Sequence, residues 1–275
     1  MMLSLWLYAL LGGLDFSQGD WVLIGVSVPN YAPHPIQARL GAFIIRDPQL
    51  LASLQETWQG QTFYEDYCDY HYVLKFYQNR RLKKTLKINL RCTYATEGVF
   101  SYTFRPEWFE SLTQYAQPIH WSRVWFQKNE NLKPAVSALL EAPEVYFYDE
   151  PEPYLYEGKF LIAVDSVSWR VDRDSLYRAV RTQVETHFPP GRAFVRPYFF
   201  YLDDKFLLYF RFEVFCDRKD YEAYKSGLPI AVNWHPHIYP GEARRLIIIG
   251  VNRERFWRYV NAWKARYGAS SKEDS

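Results

Sequence analysis

The densest set of chemistry-capable side chains in this sequence is Trp234-His235-Pro236-His237-Ile238-Tyr239-Pro240-Gly241-Glu242. Two histidines at i and i+2 on extended backbone project to one side. With Glu242 they supply three zinc ligands and leave a fourth position open, the ligand count of a metal-assisted hydrolase. The favoured reading needs no metal. The prolines stiffen the segment, and Trp234, His235, His237 and Tyr239 present rings with polar edges to a ligand.

Two further sets compete with it. Glu65, Asp66, Asp69 and His71 bring carboxylates beside an imidazole, the pairing that acid–base chemistry uses. Period-two alternation puts Asp69 and His71 on the polar face of a strand, where solvated charges are expected. The run Arg80-Arg81-Leu82-Lys83-Lys84, with Lys75, Lys87, Asn89 and Arg91, offers cations beside aromatic rings. That combination suits single-stranded nucleic acid or an acidic glycan. Charges at a hairpin tip also keep strand edges from associating, and this is the preferred role. The phosphate-binding, dinucleotide-binding, serine-hydrolase and zinc-protease signatures are absent, as is C-x-x-C. The function expected is therefore a binding protein rather than an enzyme.

Charge and composition narrow the partners. The 275-residue chain carries a formal net charge of +2, so bulk charge implies no polyanion and no nucleic-acid partner is expected. Its 23 tyrosines and 10 tryptophans suit half-wet strand faces. Leu3 to Leu14 is apolar, too short to span a bilayer, and followed by small residues at Ser17-Gln18-Gly19. Residues 1–19 therefore read as a signal peptide, with a buried first strand or helix of the fold as the other role. No later run approaches ~20 apolar residues, so no integral membrane segment is expected after signal removal. The protein is expected to be exported, periplasmic or secreted. Its partner would be a protein, peptide or glycan, and no cofactor is expected apart from zinc in the hydrolase reading.

The elements that must position these residues follow from period and punctuation. Residues 64–92 read as a hairpin. A turn at Asn79-Arg80-Arg81 opposes Leu74 to Leu86, Tyr72 to Ile88, Tyr70 to Leu90 and Cys68 to Cys92 on one apolar face. A two-residue turn mixes the faces and is rejected, since a one-residue slip turns every side chain over. A four-residue turn keeps the faces but sets the cysteines diagonally. The register predicts a Cys68–Cys92 disulfide, leaving Cys216 a buried thiol. Asp47-Pro48 opens a helix with Leu50, Leu54 and Trp58 on one stripe.

The hairpin has an echo. Tyr77 to Cys92 maps onto Tyr201 to Cys216 at a constant shift of 124 residues. Leu50, Leu54 and Trp58 map onto Leu176, Val180 and Val184 at a shift of 126. Phe109 and Leu112 map onto Phe256 and Tyr259 at 147, so the second half carries about 23 extra residues within 217–242. The fold class expected is α+β: a tandem duplication of a strand-helix-hairpin-strand-helix unit, with antiparallel sheets and helices on one face. The expected divisions are 20–148, a linker at 149–153, 154–267 and a mobile polar tail at 268–275. The function expected is an exported, non-enzymatic interaction protein that uses an aromatic-rich sheet face and the 217–242 loop.

Overall fold

The structure is a computed structural model that describes residues 7–28, 34–63, 69–97, 100–168, 173–202, 207–227 and 233–273. The class is α+β, with helices and antiparallel sheets. The chain forms two compact units. The first comprises 1–122, 143–149 and 247–258; the second comprises 123–142, 150–246 and 259–275.

The first unit is built on a nine-stranded sheet. Its spatial order is Leu7–Ala9, Gln59–Phe63, Phe100–Thr103, Tyr94–Glu97, Arg81–Asn89, Tyr72–Gln78, Trp21–Ser27, Phe43–Ile45 and Gln117–Pro118. Alternation along Trp21–Ser27 sends Trp21 and Leu23 into one core and Val22 and Ile24 into another. The first core takes Leu51 and Leu54 from the helix Pro48–Thr57, and Phe109 at the helix Pro106–Glu110. Asp47 caps the former as expected, its carboxylate accepting the Leu50 N–H at 2.9 Å. The second core is closed by Tyr146 and Ile249, on an antiparallel ladder in which those two residues are partners.

That second layer corrects the expectation of a solvated hairpin face. His71 is 1% exposed, Lys75 4% and Asn89 2%. The Lys75 Nζ lies 4.0 Å over the ring of Tyr148. Both faces of this sheet are covered at its central strands, while Lys83 and Lys87 on the trailing arm stay exposed.

The hairpin body has the expected register, with Tyr72 opposite Ile88 and Leu74 opposite Leu86. Its tip is the two-residue turn that sequence reasoning rejected. Gln78 pairs Arg81, and Asn79 and Arg80 between them have φ of 49° and 66°. Two consecutive positive φ values match the twist of a tight hairpin. A bulge reconciles the turn with the register: Tyr77 pairs Leu82 but Phe76 pairs Lys84, so Lys83 is the extra residue.

The second arm stops at Asn89 rather than running on to Cys92. The Asn89 Oδ1 accepts the N–H groups of Arg91 at 2.9 Å and Cys92 at 2.6 Å, and its Nδ2 donates to the Asp69 carbonyl. Such a side chain replaces the ladder with a turn. The expected Tyr70–Leu90 ladder pair is therefore not formed, and Cys92 lies in the turn. Cys216 is a buried free thiol. Cys68, Glu65 and Asp66 lie outside the described residues.

The apolar N-terminal run is part of the first core. Leu7–Ala9 pairs antiparallel with Gln59–Phe63, and Leu10 donates its N–H to the Trp58 carbonyl at 3.0 Å. Leu10 and Leu11 are fully buried, and Phe16 tilts against Trp21 at 4.8 Å. This is the buried-strand role weighed beside the export signal.

The second unit is organised around the sheet Ala193–Leu202, Leu207–Cys216, Gly158–Ser168 and His235–Pro236, in that spatial order. Gly158–Ser168 and Ala193–Leu202 both run antiparallel to the strand between them, and so parallel to each other across it. The helix Arg173–His187 joins them, giving a split βαβ arrangement. Val180 and Val184 seat this helix on Phe160, Phe210, Phe212 and Val214.

The two hairpins hold different neighbours. In the first unit the strand Trp21–Ser27 pairs with the leading arm, Tyr72–Gln78. In the second, Gly158–Ser168 pairs with the trailing arm, Leu207–Cys216. The sheet topology thus does not show the expected duplication. Ser270–Glu273, read from sequence as polar tail, forms an edge strand of a further four-stranded sheet.

Candidate functional site

The 217–242 segment begins with the helix Arg218–Tyr224, which opens through a reciprocal contact with Glu157. The Glu157 carboxylate accepts the Arg218 N–H at 3.0 Å, while Asp217 Oδ1 accepts the Glu157 N–H at 3.0 Å. A carboxylate at a helix start satisfies donors that have no partner inside the helix. Asp217 also pairs with Lys133 at 3.2 Å.

Residues 233–240 form the opposite wall. Trp234 packs flat against Gly158, where a Cβ would stand 2.2 Å from the His235 carbonyl and 2.5 Å from the indole. The indole Nε1 donates to the Cys216 carbonyl at 3.2 Å. Only glycine at 158 permits this approach.

Between these walls lies an open cleft of about 740 Å³, lined by Asn129, Glu157, Arg218, Tyr221, Trp234 and His235 among others. A second hollow of about 810 Å³ shares Asn129 and Glu157 and continues past Lys133 and Tyr156. Asn129 sits where the two meet. Its Nδ2 donates to the Ile238 carbonyl at 3.3 Å, and its Oδ1 is buried with no partner among the described residues. An unmet buried acceptor is a liability of about 1–3 kcal/mol unless something donates to it.

The cations along the cleft are mostly paired: Lys133 with Asp217 at 3.2 Å, Lys225 with Glu222 at 2.6 Å and Lys128 with Glu130 at 3.5 Å. Arg218 differs. Its guanidinium lies 5.9 Å over the Trp234 ring and is near enough to help lower the Glu222 carboxyl, but among the described residues it makes no direct ion pair.

The predicted residues separate. Trp234 and His235 line the cleft. Tyr239 is 42% exposed, and its hydroxyl meets the His235 Nδ1 at 2.8 Å. His237 turns inward instead. Its ring stacks on Phe215 at 5.6 Å, approaches Tyr154 at 5.6 Å, and its Nε2 donates to the Pro153 carbonyl at 2.8 Å. Burial pushes its pKa down to about 4. Glu242 lies in a turn, its N–H donating to the Tyr239 carbonyl. His235, His237 and Glu242 do not converge: among the described residues no three His, Cys, Asp or Glu side chains form a metal-sized group.

The sheet of the second unit presents a face away from the helix Arg173–His187. Tyr198 is 60% exposed there and Leu161 37%. Beneath them Glu213 is buried, bridged by Lys159 from one neighbouring strand and Arg196 from the other. Burial alone would push the Glu213 carboxyl up, but those two hydrogen-bonded cations hold it below its ordinary value. Arg196 lies 5.1 Å over Phe215. Cys216, on the helix side, is an inert thiol whose pKa burial pushes up to about 12.

The other sequence candidates are dispersed. His71 is buried, its Nδ1 accepting the Leu90 N–H at 3.2 Å, and Asp69 is exposed. Lys84 pairs with Glu97 at 2.7 Å, and Lys87 lies 5.1 Å over Tyr70. Sequence reasoning missed Asn129, Glu157, Arg218 and Tyr221. The insertion flagged Arg218 and Tyr221 as loop residues, but nothing local marks Asn129 or Glu157, which reach the cleft only through the fold.

Fold and site together define an α+β protein with an open cleft of mixed charge and a sheet face on which Tyr198 and Leu161 are exposed. No family model, no curated protein and no solved structure matches the chain.

Proposed function

We propose that this is an exported, non-enzymatic binding protein that takes a protein, peptide or glycan ligand in the cleft walled by residues 217–242. The sheet face around Tyr198 and Leu161 serves as a second contact surface. The observation that carries the reading is the cleft lining. Two aromatic side chains, Tyr221 and Trp234, stand beside the Arg218 guanidinium, which makes no direct ion pair among the described residues, and the Asn129 Oδ1, which has no hydrogen-bond partner among them. Polar groups left open beside aromatic walls are what an orienting ligand site requires.

The test is an array of immobilised glycans and peptides probed with the wild-type chain and with Arg218→Glu combined with Asn233→Ala. Both substitutions sit on exposed side chains, so the fold is retained. Array ligands bound by the wild type are lost by the variant. Undiminished binding by the variant overturns the cleft assignment.

The Cys68–Cys92 bridge belongs to the same proposal. Of the chain's 3 cysteines Cys216 is a buried free thiol, which leaves Cys68 and Cys92 as the pair the hairpin register favours. A structural disulfide calls for an oxidising compartment, which supports export. Peptide mapping without reduction should join Cys68 to Cys92. N-terminal sequencing of protein from its native cells reports on the leader: processing yields a start near Asp20, and an intact segment matches its place in the core.

A further inference from the structure

We infer that the cleft selects a uronate-containing oligosaccharide, with a sugar carboxylate on Arg218 and ring hydroxyls on the neighbouring polar groups; this rests on the cleft reading above. Arg218 is the cleft cation that makes no direct ion pair among the described residues, its charge reaching Glu222 only at longer range, and Trp234 lies against its guanidinium on one side. A guanidinium so placed takes a carboxylate through two parallel hydrogen bonds. The Asn129 Oδ1, buried and without a partner among the described residues, needs a donor, which a hydroxyl supplies.

Glu157 and Glu222 also line the cleft, and Glu130 lines the adjoining hollow. A densely acidic peptide would set its carboxylates against these three. A uronate chain spaces one carboxylate per ring among several hydroxyls, so it offers donors to the glutamates and a single charge to Arg218. The trough continues past Asn129 along Lys133 and Tyr156, which suits an extended chain of several rings rather than a single sugar.

The experiment is isothermal titration of the full chain with tetramers of galacturonate and of glucuronate. Neutral maltotetraose and tetraglutamate serve as comparators. A uronate tetramer binds at least about tenfold more tightly than either comparator. Arg218→Ala loses at least about tenfold of that affinity, and Arg218→Lys recovers part of it. Arg218 is exposed, and circular dichroism of each variant checks the fold. Failure of both uronate tetramers to bind overturns the inference, and so does wild-type affinity in Arg218→Ala. Equal binding of maltotetraose overturns the carboxylate assignment while leaving a glycan-binding cleft. Tighter binding of tetraglutamate makes the ligand an acidic peptide. Loss of every array ligand from the wild type, by contrast, would overturn the cleft reading itself.

Discussion

Two tyrosines on the same hairpin arm make opposite demands on their hydroxyls. Tyr77 is buried and donates to the Phe147 carbonyl at 2.5 Å. Tyr72 is as buried, against Phe43 and Phe109, and its hydroxyl has no partner. Burial raises the pKa of both. The same substitution should therefore act with opposite sign. Tyr77→Phe strands a carbonyl and costs about 1–3 kcal/mol, whereas Tyr72→Phe is neutral or stabilising by up to about 1 kcal/mol. Urea titrations of the two variants measure both. His237 gives a pH dependence. Its folded pKa of about 4 lies below the ordinary 6.5, so the unfolded state binds more protons between those values. Stability contributed by the neutral ring is complete above about pH 6.5 and is lost as pH falls toward 4, by about 3 kcal/mol. His237→Gln should flatten this part of the stability–pH curve, and an unchanged slope would contradict the burial argument. None of these roles was legible in sequence. A tyrosine or histidine in an alternating run declares which side of a strand it is on, not whether that side meets water or another layer.

At the scale of elements, sequence was most informative where one local rule decides. The Asp47-Pro48 helix start and the hairpin body follow from a cap and from face alternation. The hairpin tip failed because alternation cannot register a bulge: Lys83 absorbs the residue that separates a two-residue turn from a three-residue register. Asn79 is the pivot. It holds φ of 49°, its Oδ1 accepts the Asp20 N–H at 3.0 Å and its own N–H donates to the Asp20 carbonyl. Asn79→Ala loses the side-chain bond and forces alanine into the left-handed region, for a cost of about 2 kcal/mol by thermal or urea unfolding. Asn79→Gly should cost less. The strand His120–Phe126 was missed because its inward positions include Ser122, a polar residue that breaks the apolar alternation. The N-terminal run was ambiguous for a physical reason: an apolar dozen suits a signal peptide and a core strand alike. Removing residues 1–19 takes Leu10, Leu11 and Phe16 out of the core, each worth about 1.5–3 kcal/mol of burial. The truncated chain should unfold at markedly lower denaturant. Unchanged stability would mean that the segment is dispensable and free to act only as a leader.

For the whole molecule, the α+β class was legible, while the arrangement of strands was not. Local periodicity generates hairpins without stating which arm its neighbour joins, and the two hairpins here choose differently. The same limit hid half of the cleft. Arg218, Trp234 and His235 lie in the longer loop that the offsets exposed, while Asn129 and Glu157 come from segments far away in sequence. With a net charge of only +2, attraction for a ligand must come from local groups rather than from the field of the molecule. The account therefore stands on the cleft of the second unit. Hydrogen–deuterium exchange tests this most directly, recorded with and without the tightest ligand from the glycan and peptide array. The account predicts slowed exchange in residues 129–133, 156–157, 218–225 and 233–240, with the amides of the first unit unchanged. Slowed exchange confined to the first unit, or absent from those four segments while the ligand is bound, would contradict it.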